Sequence, residues 1–474
     1  MPGITNDVFF ATITELGAGL RAKQFSCVEL TRAFLDRMEK LGPRFNALAL
    51  LLREDAVKQA KDVDDDLSRD RQRGPLQGIP CGVKDLLALR GHPTTWGAKP
   101  YAGQVLESDA SVIKRLKKAN AVLTSKLAMV ELAGGPSYRY AAASLTGPGL
   151  NPWDRSRWSG GSSSGSGSAV AAGLVAFALG SETSGSILTP SAYCGITGLR
   201  PTYGLVSRAG AMALSWTMDK IGPMCRSAED CSLVLQTIAG SDPADPASAR
   251  KSYFHSPKFW RKFEDLKTGF AAVDFDEWPE PAMREPLRKA LGVLKEMGLP
   301  LVDAKLPELP YGPVTSTIIA AEAASIFEPL MASGKVEELA DAKQIAGLRA
   351  GLEIKAKDYL KAMRIRTEVQ DAFRLIFSKV DVIAAPARTN IASKVSDPLD
   401  RPPQRELPKE AGFSRLIPAG NLAGLPALSL PCGFAEGMPV AIQLVGRPFS
   451  ESNLIAIGME FQRRTDFHRR RPEL

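Results

Sequence analysis

Two segments rich in serine and glycine contain the residues of this chain best suited to nucleophilic chemistry. The first is residues 160–168, GGSSSGSGS, and the second is residues 180–186, GSETSGS. The apolar stretch 169–179 between them predicts a helix. Flexible linkers seldom lie between regular elements inside a compact chain. The paired segments therefore predict a catalytic site built from two loops that flank one helix.

The second segment offers both a nucleophile and donors for the charge that the nucleophile would create. A serine hydroxyl attacks well only when a base takes its proton, and the resulting oxyanion needs hydrogen-bond donors already in place. Small residues let consecutive backbone N–H groups converge on one point. Ser186 is therefore the better nucleophile candidate. The oxyanion-hole candidates are the N–H groups of Thr183, Ser184, Gly185 and Ser186.

Composition argues against a histidine as the base, because the chain has three: His92, His255 and His468. None has a partner at a recognisable catalytic or metal-binding spacing. Lys84, within the apolar segment GIPCGVKDLL, is the alternative. Burial disfavours the charged form of a lysine and can bring its pKa from about 10.4 towards neutrality. An ion pair with Asp85 or another acid is an equally open interpretation of Lys84.

Composition narrows the class of protein. The chain has 474 residues, of which 44% are apolar, so it can bury a substantial core, and its net charge is +8. The basic tail at 463–471 lacks an aromatic-interleaved stripe, so we expect no nucleic-acid partner. No apolar run reaches the roughly 20 residues of a membrane span, and residues 1–7 do not resemble a signal peptide. We expect a cytoplasmic protein without membrane contact.

The six cysteines are scattered and form no Cys-x-x-Cys motif, so the sequence predicts neither a disulfide framework nor a zinc site. Buried, reduced thiols are the expected state.

Hydrophobic periodicity predicts an α/β protein with a large mixed β-sheet and helices on both faces. We expect one domain over 1–474, with N-terminal helices in 1–70, the catalytic core in 71–240, and a helical cover with the remaining strands in 241–474. The predicted helices are 13–41 with a break near 23–26, 53–67, 111–119, 285–297 and most of 322–377, and the predicted strands are 78–86, 121–123, 269–273, 301–302, 380–384, 427–430 and 440–445.

The motifs extend well beyond the two loops, and together they resemble the amidase signature family. The resemblance is carried by GGSS at 160–163, GSETSGSI at 180–187, CG at 194–195 and GLRPTYG at 198–204. Further similarity lies in the lysine segment 78–85, in NPWD at 151–154 and in NLAGLP at 421–426. Nearly the whole chain is covered, so the resemblance implies the amidase signature fold.

The resemblance also implies how the site would work. The family uses a serine, cis-serine, lysine triad, with 24 positions between bridging serine and nucleophile, as between Ser162 and Ser186 here. Ser162, after a cis peptide bond, would relay the proton from Ser186 to Lys84. Ser163 is similar to a supporting serine of the family, whereas Ser164 is expected to be loop only. The implied reaction is hydrolysis of a linear amide through an acyl-enzyme, with no metal or organic cofactor.

Departures from the family pattern bear on the substrate. Leu188 stands where many members have arginine after the Ser-Ile pair. Ala133 and Gly134 lie in a segment similar to the family's acyl-pocket wall, and with Ser162 and Ser163 they are the predicted substrate-binding residues. Small, neutral surroundings favour uncharged amides, including anilides or carbamates. The expected partner is thus a small-molecule amide, for a monomer or a homodimer.

Other interpretations of the same residues remain open. The glutaminase (A) subunit of a tRNA-dependent amidotransferase belongs to the same family, would carry the same triad and would need partner chains. The segment 161–165 also fits Gly-x-Ser-x-Gly, the elbow of a Ser-His-Asp hydrolase with His468 as base. That elbow requires a preceding strand, whereas 151–159 is expected to be irregular. An inactive binding scaffold is disfavoured because all three triad positions are present.

Overall fold

The centre of the molecule is a mixed β-sheet of eleven strands. Five neighbouring strands in its middle are buried at every residue. A sheet with one face in water would alternate buried and exposed residues, so complete burial requires helices on both faces. The predicted fold class is confirmed. The computed structural model describes residues 4–256, 261–401, 406–408 and 412–474.

The sheet draws strands from most of the chain. In chain order the described strands are β1 (Leu48–Leu51), β2 (Pro80–Lys84), β3 (Val122–Leu127), β4 (Leu150–Asn151), β5 (Asp154–Trp158), β6 (Phe177–Glu182), β7 (Thr197–Arg200), β8 (Lys220–Cys225), β9 (Thr268–Phe270), β10 (Leu301–Asp303), β11 (Val382–Pro386), β12 (Ala427–Ala435) and β13 (Met438–Gly446). Across the large sheet the order is β1-β3-β2-β6-β8-β7-β12-β13-β11-β9-β10. Strands β3, β2 and β6 are parallel, as are β11, β9 and β10.

Helices supply the cover of this sheet. They are α1 (Ile13–Arg21), α2 (Cys27–Leu41), α3 (Arg53–Ser68), α4 (Ser111–Lys118), α5 (Ser164–Ala171), α6 (Leu188–Cys194), α7 (Ala228–Ile238), α8 (Ala272–Asp276), α9 (Pro281–Glu296), α10 (Tyr311–Ile326), α11 (Glu328–Ala332), α12 (Ala342–Leu352), α13 (Ala356–Phe377), α14 (Leu416–Leu422) and α15 (Glu451–Arg464). Within the described ranges, no helix is both long and apolar enough to cross a bilayer. All six cysteines are buried and free.

The N-terminal helices begin where local chemistry satisfies their first N–H groups. Thr12 with Glu15, and Ser26 with Glu29, form capping boxes at the starts of α1 and α2. The predicted break near 23–26 is therefore confirmed. The highly charged segment 322–377 is largely helical, as predicted, and the division of the chain into three segments stays a prediction.

The single helix predicted for 169–179 is wrong. Helix α5 occupies 164–171, so Ser164 is helical and not loop, and strand β6 follows at 177–182. Gly173 separates the two with φ +65°, and a Cβ there would lie 2.9 Å from the carbonyl oxygen of Phe9. Both elements are wholly buried, so the apolar run shows neither the helical nor the strand period.

Other strand predictions also needed correction. Residues 151–159, expected to be irregular, belong largely to a two-stranded ribbon of β4 and β5. The strand predicted for 269–273 ends at Phe270, and α8 begins two residues later. Strands β1, β7 and β8 were not predicted, because each is short or interrupted by glycine and proline, which weaken a strand signal.

The packing of α5 against the sheet leads to a stability prediction. A Cβ on Gly165 would lie 2.5 Å from the backbone of both Ala47 and Ala128. Because backbone cannot move away as a side-chain tip can, we expect Gly165→Ala to lower the free energy of unfolding by about 2 kcal/mol or more. Urea-unfolding midpoints would measure the effect.

Gly292 on α9 is the matched control, since a Cβ there meets nothing within 4 Å. Gly292→Ala should raise the free energy of unfolding by about 0.5–1 kcal/mol, because alanine favours helices. Equal midpoints for Gly165→Ala and the parent protein would show that α5 does not pack this tightly.

Candidate active site

Lys84 is the last residue of β2, between the parallel neighbours β3 and β6. Its side chain is completely buried. The Nζ atom donates a hydrogen bond to Ser162 Oγ at 2.7 Å and another to Ser181 Oγ at 2.9 Å. The structure thus brings together two of the residues that the sequence predicted, and it adds Ser181, which the sequence analysis did not single out.

The surroundings of Lys84 favour its neutral amine. Burial lowers the pKa of Lys84 to about 7, and the negative charges of Asp219 and Glu182 partly oppose this effect. A lysine with an ordinary pKa is almost fully protonated at neutral pH. Lys84 can instead accept a proton there, which is what a base requires.

The proposed ion pair between Lys84 and Asp85 is not formed. Asp85 Oδ1 lies 2.6 Å from Lys126 Nζ, and both side chains are buried. Asp85 Oδ2 accepts hydrogen bonds from the N–H group and the hydroxyl of Thr95. Lys126 and Thr95 therefore satisfy the carboxylate next to Lys84 in the sequence, and the hydrogen-bond partners of Lys84 are two hydroxyls.

The first glycine-serine segment holds its serines by backbone contacts. The peptide bond between Gly161 and Ser162 is cis, as the resemblance implied. The carbonyl oxygen of Ser162 accepts a hydrogen bond from the Val130 N–H at 3.0 Å. Ser163 Oγ donates to the Ser181 carbonyl at 3.2 Å and accepts from the Ser181 N–H at 3.3 Å. Ser163 thus positions Ser181, which in turn contacts Lys84.

Glu182 holds the second segment in place. Its Oε2 accepts hydrogen bonds from the N–H groups of Ile187 and Leu188 at 2.9 and 3.0 Å. Its Oε1 accepts from Arg200 Nη1 at 2.9 Å and from Asn421 Nδ2 at 2.8 Å. Burial raises the pKa of Glu182, but the Arg200 charge and these hydrogen bonds outweigh burial and lower it overall. The carboxylate is therefore a charged anchor for the loop.

This anchor leaves the tip of the loop open. Within the described part of the chain, the N–H groups of Ser184, Gly185 and Ser186 donate to no acceptor. Ser186 is partly exposed, and its hydroxyl makes no hydrogen bond to any residue that the structure describes, Ser162 included. The nucleophile candidate and three of the four predicted oxyanion-hole donors are therefore free to contact a ligand.

Thr183, the fourth predicted residue, is fixed by its side chain. Its hydroxyl donates to Asp219 Oδ1 at 2.6 Å. Asp219 Oδ2 accepts from the N–H groups of Leu214 and Ser215 at 2.8 and 2.9 Å. Burial raises the pKa of Asp219, while these hydrogen bonds oppose the rise. Asp219 connects the loop to the segment before β8.

The predicted substrate-binding residues lie in a tight turn after β3. Ala133 has φ +55° and Gly134 φ +99°, both left-handed. A Cβ on Gly134 would lie 2.8 Å from the ring of Tyr138, so glycine is needed there. Ala133 lines a cavity of about 190 Å³ together with Ser181 and Thr183. The structure therefore places Ala133 beside the two loops.

The histidines have other contacts. His92 Nε2 lies 2.7 Å from Asp55, and His255 Nδ1 lies 2.8 Å from Ser232 Oγ. Burial and the neighbouring charge of Arg469 lower the pKa of His468 to about 4. Ser163, the central serine of the Gly-x-Ser-x-Gly segment, has its hydroxyl bonded to the backbone of Ser181. The Ser-His-Asp interpretation thus finds no histidine bonded to its serine in the described residues.

Comparison with known proteins bears on the family of the chain. The model of the Amidase family matches residues 29–455.

The chain belongs to the amidase family.

Individual members of the family match over nearly the whole chain. The glutamyl-tRNA(Gln) amidotransferase A subunit from Moorella thermoacetica is 37% identical, covering 99% of each chain. Native peptide amidase from Stenotrophomonas maltophilia superposes with a TM-score of 0.82 at 28% identity, over 98% of each chain. A structure from a vestigial complex linked to the origins of an s-triazine catabolic enzyme has a TM-score of 0.87 at 28% identity, over 96% of this chain and 98% of the other. The protein is an amidohydrolase that acts on C–N bonds.

Sequence analysis of this amidase missed residues that support the site from a distance. Ser181, Glu182 and Asp219 have ordinary types for a loop or strand end, and Arg200 and Asn421 are far away in sequence. One available signal was the acidic residue in the second segment, GSETSGS, because a buried carboxylate requires cationic or N–H partners. Lys126 gave no signal, since its role follows from the strand pairing that places it beside Asp85.

The ion pair beside Lys84 gives a second stability prediction. Lys126→Met would leave the Asp85 carboxylate buried without a cation, which costs about 3–5 kcal/mol in comparable pairs. We expect the unfolding midpoint to fall accordingly. The double variant Asp85→Asn/Lys126→Met removes both charges and should recover much of the loss. A double variant no more stable than Lys126→Met alone would contradict this account of the pair.

Proposed function

We propose that this amidase hydrolyses a carboxamide through an acyl-enzyme on Ser186, with Ser162 as proton bridge and Lys84 as base. The observation that carries the proposal is the 2.7 Å hydrogen bond between the buried Lys84 amine and Ser162 Oγ. The pKa of about 7 at Lys84 supports it, because a neutral amine is needed to take the proton. The N–H groups of residues 184–186 donate to no acceptor in the described ranges, and this supports Ser186 as nucleophile.

In the proposed reaction, Ser186 Oγ attacks the amide carbonyl carbon and its proton passes through Ser162 to Lys84. The carbonyl oxygen becomes an oxyanion, which the N–H groups of residues 183–186 stabilise. The C–N bond then breaks, and the proton returns from Lys84 through Ser162 to the leaving nitrogen. Water, activated by the same relay, hydrolyses the ester of Ser186 and restores the enzyme.

Two substrate classes fit this reaction. The name of the Moorella relative supports the first class, the substrate of the glutaminase subunit of a tRNA-dependent amidotransferase. The comparisons support this class better than the second class, small uncharged amides. Against this stands Leu188, which leaves the loop without the arginine common at that position. The cationic side chain bonded to the loop carboxylate here is Arg200, and it is completely buried. With Leu188 apolar and Arg200 buried and bonded to Glu182, the loop favours a neutral substrate. This supports the class of small uncharged amides.

The triad proposal predicts the behaviour of three variants. Ser186→Ala and Lys84→Ala should each lower kcat/KM for amide hydrolysis by at least about 1000-fold, since the residues of a triad act as a unit. His468→Ala should keep most of the activity, because His468 takes no part in the relay. Circular dichroism would establish that each variant folds. A His468→Ala variant as inactive as Ser186→Ala would instead favour the Ser-His-Asp interpretation.

The same assay gains a second readout from pH. Below about 7 Lys84 is protonated and cannot accept a proton, so kcat/KM should rise as pH increases through about 7 and then level off. A rate independent of pH between about 5 and 9 would argue against Lys84 as the base.

The two substrate classes differ in their need for partners. A glutaminase subunit should release ammonia from glutamine efficiently only when its companion amidotransferase subunits are co-expressed, whereas an independent amidase should hydrolyse small amides equally well with or without them. Ammonia release from glutamine and from benzamide, measured for the chain alone and for the co-expressed set, distinguishes the two. The Ser186→Ala variant provides the background.

A further inference from the structure

The cavity of about 190 Å³ beside the two loops has a volume and a lining that indicate what it can bind. Two of the residues that line it lie next to the proposed catalytic groups: Ser181, which accepts a hydrogen bond from Lys84, and Thr183, the first residue of the predicted oxyanion hole. Both residues lie on the segment 180–186 that ends at Ser186, so the cavity borders the loop that carries the nucleophile candidate.

Most of the cavity wall is apolar. The wall includes Leu86, Ala133, Met212, Ala213, Leu214 and Ile221. Leu86, Leu214 and Ile221 are almost completely buried, so this part of the wall is continuous with the hydrophobic core. Ligand sites of this kind bind apolar groups and use a few polar atoms for orientation.

The charged residues of the wall already have partners within the protein. Arg208 donates through Nη2 and Nε to Asp245 at 2.9 and 3.1 Å, and its Nη1 donates to the Trp216 carbonyl. Asp219 accepts three hydrogen bonds, from Thr183, Leu214 and Ser215.

Lys220, the remaining charged residue of the wall, is buried. Its Nζ donates to the Met218 carbonyl. Burial and the neighbouring charge of Arg200 lower the pKa of Lys220 well below its usual value. Arg208, Asp219 and Asp245 of the described wall are therefore satisfied within the protein, and burial disfavours the charged form of Lys220.

Size and charge together define the occupant. An apolar cavity of about 150 Å³ holds one benzene molecule, so about 190 Å³ holds a ring with one or two further atoms. Glutamine carries an α-ammonium and an α-carboxylate, and both would lose water against a wall that is mostly apolar and whose Arg208, Asp219 and Asp245 already have partners.

We propose that this cavity binds the acyl group of the substrate, and that this group is an uncharged aryl or branched alkyl group of about six to eight non-hydrogen atoms. The proposal rests on the proposed function. It makes the wall formed by 208–214 the determinant of acyl specificity, and it selects aryl carboxamides over both acetamide and glutamine.

The test compares benzamide, acetamide and glutamine as substrates of the full chain. Benzamide should exceed acetamide in kcat/KM by about 100-fold, because the buried ring adds contacts that a methyl group lacks. Ala213→Leu, which fills the cavity, should lower the benzamide to acetamide ratio by at least about 10-fold. Met212→Ala, which enlarges the cavity, should shift the preference towards 2-naphthamide.

The matched control is Ala282→Leu, the same substitution at an exposed position of α9, which should leave the ratio unchanged. An enzyme that hydrolyses glutamine or acetamide faster than benzamide overturns this inference and leaves the proposed triad intact. An unchanged ratio in both Ala213→Leu and Met212→Ala overturns it as well. A chain that hydrolyses none of these amides overturns the proposed function, and the inference with it.

Discussion

The site of this amidase depends on a buried lysine amine whose partners, among the described residues, are two hydroxyls and no carboxylate. Lys84 is completely buried at the end of β2, and its Nζ contacts Ser162 and Ser181. A carboxylate in direct contact would keep the amine protonated. The adjacent Asp85 is held by Lys126 and Thr95, so the strand can carry an acid beside the lysine without pairing the two. The ion pair between Lys126 and Asp85 thus leaves the Lys84 amine to its two hydroxyl partners.

The second loop depends on a different buried charge. Glu182 uses both carboxylate oxygens, one for the N–H groups of Ile187 and Leu188 and the other for Arg200 and Asn421. These partners come from the loop itself, from β7 and from α14. The carboxylate binds the two N–H groups that follow Ser186, while those of residues 184–186 have no acceptor within the described part of the chain. Distant parts of the chain therefore shape a loop of a few residues.

The amidase fold is shared by proteins with different names, here a peptide amidase and one component of a tRNA-dependent amidotransferase. Fold and triad motifs alone do not separate their substrates. The difference lies in the walls around the triad, and in this chain the charged wall residues are already paired or buried. In our proposal, this arrangement favours an uncharged acyl group, a specificity that overall identity to a relative does not decide.

The sequence by itself determined the family, the fold class and the residues of the proposed triad, because motif spacing and residue types are local properties. It also indicated two helices near the N-terminus with a break near 23–26, which the structure begins at the capping boxes of Thr12 and Ser26. It misassigned 169–179, since a wholly buried helix and strand present the same apolar run. Only the tertiary structure decided that Lys126 neutralises Asp85, that Arg200 and Asn421 anchor Glu182, and that Asp245 and Thr183 hold the charged wall residues Arg208 and Asp219. Each of these contacts joins residues whose sequence separation carries no periodic signal, so folding alone brings them together.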